Sequence, residues 1–263
     1  MIRIENLLIG ETMEGIRYID AHCHLEDKKF NRDREEVINT CREKNIEIVT
    51  SGVGIGGCKR ALEIKKRHPD IYLTLGFHPH SVRADEKVIK EVYNIVKNCE
   101  KYIVAVGEVG LDIKDENLPR QKEIFERFIS ISEELDKPLV VHGRGLEREC
   151  YNIINNRVVS MFHCYSGDEK LAKELIENGH YISISTLICI SPHHRDLVKN
   201  LDLENILVET DSPYLTPVKG KKNTPLNVIK VIEAIYSIKK EEGYSYKEVV
   251  KLIYNNTKRF FNI

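Results

Sequence analysis

The sequence predicts a (β/α)8 TIM barrel of the α/β class, built as a single domain. Three observations predict it. Short β-branched runs alternate with amphipathic helical stretches along the chain, the pattern of parallel strands joined by helical crossovers. The strands are apolar almost without interruption, as in Ile103-Val-Ala-Val-Gly-Glu108, which suits strands buried on both faces. Metal-competent polar residues follow one strand after another at the same end, where barrels of this architecture carry their sites. The 263 residues suit one such barrel, and no long linker, low-complexity stretch or composition break divides them.

Taken in order, Tyr18-Ile-Asp-Ala-His22-Cys-His24-Leu reads as the first strand, opening into a polar segment from Glu26 to Arg34. A strand alternates its side chains, so His22 and His24 share one face and Cys23 takes the other. The helix beginning at Arg34 puts Val37, Ile38 and Cys41 on one side. Strand two, Ile46 to Val53, ends in an expected glycine-rich turn at Gly54 to Gly57. The following helix, through Ala61, Leu62, Lys65 and Lys66, stops at His68-Pro69. Strand three, Ile71 to Phe77, leads into His78-Pro-His80. Glu86 to Lys97 is helical, with Val88, Val92, Ile95 and Val96 as its apolar stripe.

The fourth strand runs from Ile103 to Asp112. Pro119 to Leu135 is a long helix with Pro near its start, where a missing N–H costs nothing. Strand five (Pro138 to His142), a helix from Leu146 to Ile154 and strand six (Val158 to His163) follow. A helix through Leu171, Leu175 and Ile176 precedes strand seven, Tyr181 to Ser185. The helix Pro192 to Asn200 leads to strand eight, Ile206 to Asp211. Two helices, Thr224 to Lys239 and Ser245 to Phe261, close the chain.

A net charge of −1 argues against a generic duplex-coating protein, which is strongly basic. The seven cysteines are odd in number, scattered and without a C-x-x-C. They suit a reducing cytosol and offer no zinc-finger or redox motif. The N-terminus reads as neither signal peptide nor membrane span. A cytoplasmic protein without membrane association is expected.

His22 and His24 end strand one, Glu108 strand four, His142 strand five, His163 strand six and Asp211 strand eight. In a barrel these termini open on one rim. A lone His-x-His carries little weight, but six such residues on one rim point to a divalent-metal site. His68, before Pro69, and His180, after Gly179, read as surface turn residues. His193 and His194 lie on the rim without a paired carboxylate and receive no role.

Seven motifs stand in fixed order: Ile19-Asp-Ala-His-Cys-His24, Leu75-Gly-Phe-His-Pro-His80, Gly107-Glu-Val-Gly-Leu-Asp112, Pro138-Leu-Val-Val-His-Gly-Arg144, Phe162-His-Cys-Tyr-Ser-Gly167, Glu209-Thr-Asp-Ser-Pro-Tyr214 and Gly220-Lys-Lys-Asn-Thr-Pro225. Together they resemble the TatD family of metal-dependent deoxyribonucleases, within the amidohydrolase-like barrels, over residues 18 to 262. The resemblance implies two divalent ions (Mg, Mn or Zn), one held by His22, His24 and Asp211 and the other by His142 and His163, with Glu108 bridging. It implies DNA as substrate, and no protein partner is evident. Residues 1–17 have no family counterpart and read as an N-terminal extension before a barrel of 18–263, with Met13 as an alternative start. The family's His-Ser-Arg-Asp is His142-Gly-Arg-Gly145 here, and its Asn-Glu-Pro is Asn223-Thr-Pro225. Neither departure removes a ligand; both bear on substrate preference.

Two such ions polarise a phosphodiester and generate hydroxide near neutral pH. Asp211 can ligate through one oxygen and take the water's proton with the other. Arg144 has the planar fork that fits phosphate oxygens, or else makes a loop ion pair. His78 and His80 read as substrate-side groups or supports of the ligands. Lys219, Lys221 and Lys222 offer contacts to a nucleic-acid backbone, or form a solvated run. The leading expectation is an exonuclease acting on single-stranded DNA ends. The alternative is an ester or amide hydrolase on the same metals, such as an aminoacyl-tRNA deacylase, because fold does not dictate substrate. A non-catalytic binding protein is the third reading, against which the intact ligand set argues.

Overall fold

In the computed structural model, which describes residues 15–263, strand and helix alternate from end to end. The strands are β1 (Tyr18–Cys23), β2 (Ile46–Val53), β3 (Tyr72–Gly76), β4 (Ala105–Gly110), β5 (Leu139–His142), β6 (Ser160–Phe162), β7 (Tyr181–Ile184) and β8 (Ile206–Val208). The helices are α1 (Arg34–Glu43), α2 (Gly54–Arg67), α3 (Glu86–Asn98), α4 (Leu118–Glu134), α5 (Glu147–Ile154), α6 (Glu169–Glu177), α7 (Pro192–Lys199), α8 (Val228–Lys239) and α9 (Tyr246–Phe261). Each strand pairs in parallel with the next in sequence, as expected of a (β/α)8 barrel.

The ring closes through side chains and loop backbone. Past the end of β8, Asp211 N–H donates to His22 O at 3.0 Å, and His24 N–H donates to Ser212 O at 2.7 Å. Asp20, wholly buried, accepts from Thr210 N–H at 2.9 Å and from the Thr210 hydroxyl at 2.6 Å. β8 stops short of the strand end expected at Asp211, which has a φ of 51°. That left-handed conformation cannot continue a strand.

Two apolar layers hold the barrel. Ile19, Ala21, Val49, Ala105, Val140, Met161 and Leu207 cluster together, with Phe260 and Phe261 of α9 against them. The Phe260 ring lies 5.0 Å from that of Tyr181, the first residue of β7, so α9 stoppers the N-terminal end of the strands. The larger layer, including Leu73, Leu75, Val92, Phe125, Phe128 and Ile235, lies between strands and helices. Burying side chains of this size contributes about 1.5–3 kcal/mol each.

Glycine sets the spacing where β3, β4 and β5 meet. A Cβ on Gly76 would lie 2.6 Å from Glu108 O, and one on Gly110 would lie 2.0 Å from His142 O. Only a missing side chain lets these backbones approach, and the approach puts Glu108 beside His142.

Two further elements differ from expectation. The glycine-rich turn expected at Gly54 to Gly57 is the first turn of α2. Close packing explains it, since a Cβ on Gly52 would lie 2.8 Å from Ala61 Cβ and 3.0 Å from Gly57 O. α8 starts at Val228 rather than Thr224. Asn223 holds that segment as loop, donating to Thr210 O at 2.8 Å and accepting from Thr224 N–H at 2.9 Å.

Met13 and most of the expected extension 1–17 lie outside the described residues. Ile16 is buried, and Arg17 pairs with Glu47 at 2.5 Å. No helix among the described residues is long and apolar enough to cross a membrane. All seven cysteines are free thiols.

Candidate metal centre

β1 delivers the first donors. His22 Nε2 and His24 Nε2 come within 3.3 Å of each other. His24 Nδ1–H donates to Ser51 O at 2.9 Å, which fixes the ring and aims Nε2 into the barrel mouth. The closing seam brings Asp211 to the same point, with Oδ1 3.5 Å from His24 Nε2 and 3.8 Å from His22 Nε2. These three side chains are one candidate group for a metal ion.

Glu108 lies inside β4, not at its end. Its Oε1 is 2.7 Å from His142 Nδ1, 2.8 Å from His163 Nε2 and 3.3 Å from His78 Nε2. Its Oε2 faces the other way, 3.4 Å from His24 Nε2 and 3.6 Å from His22 Nε2. That second oxygen is buried and has no hydrogen-bond partner. An orphaned buried carboxylate oxygen is costly, and imidazole nitrogens crowd around it. A divalent cation is the partner that fits this donor set.

Further carboxylates brace the histidines. Asp112 Oδ2 accepts from His142 Nε2 at 3.0 Å, and Glu209 Oε1 is 3.3 Å from His163 Nδ1. Glu26 Oε1 lies 3.4 Å from His24 Nδ1. Asp112 and Glu209 stand within the sequence motifs but carry no role in the expectations above. The signal was there, an acidic residue closing an apolar strand. His78 sits deeper than a substrate-side group, since it converges with Glu108 and His142 as a further candidate group. His80 is mostly exposed and pairs with Asp115.

Charge follows from this crowding. Burial drives the His22 pKa well below the usual imidazole value, and the neighbouring His163 adds to the effect. Burial also opposes charge on His163, but Glu108 and Glu209 raise its pKa well above the usual value. His24 is raised likewise, as Glu26, Asp211 and Glu108 outweigh burial. For Glu108 burial works upward, yet His163, His78 and His142 hold it well below the carboxylate range.

Above these groups opens a cavity of about 750 Å³, whose lining includes His78, His80, Lys114, Arg144, Glu147 and Tyr214. Arg144 is half-exposed and reaches Asp112 Oδ2 at 3.3 Å, so it has an ion pair and a view of the cavity. Gly145 is left-handed, with a φ of 68°, and a Cβ there would lie 2.9 Å from Ile113 Cγ2. The family's aspartate does not fit that backbone without strain. A carboxylate still lines this wall, that of Glu147, whose pKa burial raises.

Two histidines expected on the surface are buried. His180 accepts from Ser160 N–H through Nδ1 at 3.2 Å and donates from Nε2 to Asn156 Oδ1 at 2.9 Å. His68 packs between Arg42 and Glu35. Both follow a helix and lead into a strand, where packing closes over the ring. His194 is buried between Ser166 and Ser191, which satisfies both nitrogens. Lys222 is not a solvated run residue either; it pairs with Asp33 at 2.6 Å.

The family model described as TatD related DNase matches residues 19–262. The chain belongs to the TatD family. It is 57% identical over 249 residues to an uncharacterized metal-dependent hydrolase of Methanocaldococcus jannaschii, covering 95% of this chain and 98% of that one. It is 29% identical to the human deoxyribonuclease TATDN3, covering 94% of this chain and 95% of the relative. Among solved structures, the TatD homolog YJJV of Escherichia coli K12 superposes with a TM-score of 0.85 at 22% identity, over 94% of this chain and 99% of the other. That likeness speaks for the fold. This TatD-family chain is a metal-dependent hydrolase with convergent histidine and carboxylate groups at its barrel mouth.

Proposed function

We propose that this TatD-family hydrolase is a deoxyribonuclease that removes nucleotides from the ends of single-stranded DNA. The observation that carries the reading is Glu108, a buried carboxylate with one oxygen among His142, His163 and His78 and the other facing His22 and His24. In this proposal His22, His24 and Asp211 would hold one divalent ion, His142 and His163 would hold a second, and Glu108 would serve both. Mg, Mn and Zn are the candidates. Such ions, when bound, would polarise the phosphodiester and lower the pKa of water toward neutrality.

The chain's own groups do the rest. Asp211 would hold metal with one carboxylate oxygen and accept the attacking water's proton on the other. Arg144, with His80 beside it, grips the phosphate from the cavity wall, where the fixed guanidinium stabilises the charge that develops on phosphorus, while His78 backs Glu108 and His142. Asp112 and Glu209 hold the His142 and His163 rings in register. DNA as substrate is supported by the family description and by the human relative's name. A recessed site favours a flexible strand end over a duplex, which must unpair first. By sequence, residues 1–17 stand ahead of the barrel of 18–263 as an extension, and free thiols suit a reducing, cytoplasmic setting.

The test uses end-labelled single-stranded, duplex and circular DNA with Mg, Mn, Zn or Co, and an Asp211→Asn control. Stepwise shortening of the linear single strand, with the circle intact, is expected. Equal cutting of the circle overturns the exonuclease reading, and no cleavage with any metal overturns DNA as substrate.

A further inference from the structure

We infer that a basic depression beside the metal centre, walled by Lys28, Lys29, Arg32 and Lys222, binds the phosphodiester backbone of the DNA strand whose end lies at the metals. The inference rests on the single-strand reading above and adds where the rest of the strand runs.

The depression has a volume of about 660 Å³, and Asn31 and Pro213 complete its lining, which contains no carboxylate. Three cations without an ion pair around one hollow repel one another, and a polyanion relieves that repulsion. Much of the surface is arranged differently. Arg42 is matched by Asp70, Arg120 by Glu86 and Glu123, Arg157 by Glu126 and Glu133, and Lys173 by Glu169. Lys28, Lys29 and Arg32 are exposed, and none of them forms an ion pair among the described residues. Lys222 alone of the four is paired, and its Nζ also donates to Lys29 O at 3.0 Å.

That bond makes the hollow a built surface. Lys222 ties the loop after β8 to the loop after β1. Arg34 fastens the latter from behind, donating to Leu25 O at 2.6 Å and to Asp27 O at 3.1 Å, and Phe30 is buried beneath it. The three unpaired cations therefore project from anchored backbone.

Position links the hollow to the chemistry. Tyr214 lines the main cavity, with its ring 6.0 Å from that of His24. Its hydroxyl donates to Asp27 Oδ2 at 2.9 Å, and Lys29 Nζ lies 4.3 Å from its ring centroid. One aromatic side chain, 43% exposed, is the partition between metal centre and basic hollow. Single strands bind where cations track the backbone and an aromatic face receives a base. With a net charge of −1, long-range attraction is weak, so a local cluster has to supply it.

The experiment measures binding of a fluorescent twelve-nucleotide single strand by full-length protein in EDTA, where nothing is cut, across a salt series. The triple variant Lys28→Gln/Lys29→Gln/Arg32→Gln keeps Lys222 and its loop contacts. Removing three phosphate contacts makes the plot of log affinity against log salt shallower by about 2, and affinity at 50 mM salt falls at least about tenfold. A control triple, Lys87→Gln/Lys90→Gln/Lys247→Gln, removes as much exposed charge from α3 and α9 and retains the wild-type slope. An unchanged slope in the first variant, or an equal loss in the control, overturns the inference. Thermal midpoints of both variants separate lost binding from lost folding. If the wild type cuts single strands but the first variant binds them like wild type, only the hollow is refuted. If the wild type neither binds nor cuts them, both readings fall.

Discussion

The two ends of the barrel are built on opposite principles from the same eight strands. At the C-terminal mouth the buried side chains are ionisable: His22, His24, Glu108, His142 and His163 lie within a few bonds' reach of one another, with an orphaned carboxylate oxygen among them. At the N-terminal floor they are aromatic and aliphatic: Phe260, Phe261, Tyr181 and Ile19. Crowded buried charge is held at a cost in stability, whereas packed rings supply stability. The difference teaches that folding and chemistry are separable here, and each can be damaged without the other.

Glu108→Gln breaks the comparison hardest on the mouth side. The amide loses the negative charge facing both histidine sets, so the two proposed ions are lost together and activity disappears. Calorimetric metal titration checks this; two unaltered binding events would remove Glu108 from the bridging position. Asp211→Asn comes next, because its amide cannot take a proton. Turnover falls by about 10²–10⁴-fold, while bound metal falls far less. The ratio of turnover to metal content is the measurement, and a strict parallel would leave Asp211 as a ligand alone.

On the floor, Phe260→Ala leaves a cavity beneath β7 and costs about 3–5 kcal/mol of stability. Metal affinity of the folded protein stays at the wild-type value. Denaturant unfolding paired with metal titration would expose any coupling between the two ends. The smallest effect belongs to His180, whose pKa burial lowers to about 4 from 6.5. Its folded-state pKa is depressed, so the stability it contributes is complete above pH 6.5 and is lost as pH falls toward 4. His180→Gln removes a slope of up to about 1.4 kcal/mol per pH unit in that window. Unfolding free energies of both proteins at pH 7, 5.5 and 4.5 test it; parallel curves would mean that His180 does not titrate on unfolding.

Much of this was legible from local pattern. The alternation of apolar runs and amphipathic stretches names every strand and helix, because strand and helix periods are properties of a few consecutive residues. His22 and His24 sharing a face follows from the same rule. Boundaries were less legible where one backbone angle decided them, as at Asp211, or where glycines let a helix start inside an expected turn, as at Gly54. The burial of His68 and His180 was illegible for another reason: the residues that cover them come from other elements.

By itself, then, the chain determined which residue types stand at the end of each strand and which strands follow one another. Which of those residues meet was decided only by closure of the barrel. His22 and Asp211 touch because the seam between β1 and the segment after β8 is hydrogen-bonded. Glu108 reaches two histidine sets because glycines let β3, β4 and β5 crowd together. The basic hollow joins Lys29 to Lys222 across 193 residues of sequence. Side-chain direction is a local property of backbone period, but distance across a closed sheet is set by strand count, spacing and seam, none of which any single segment encodes.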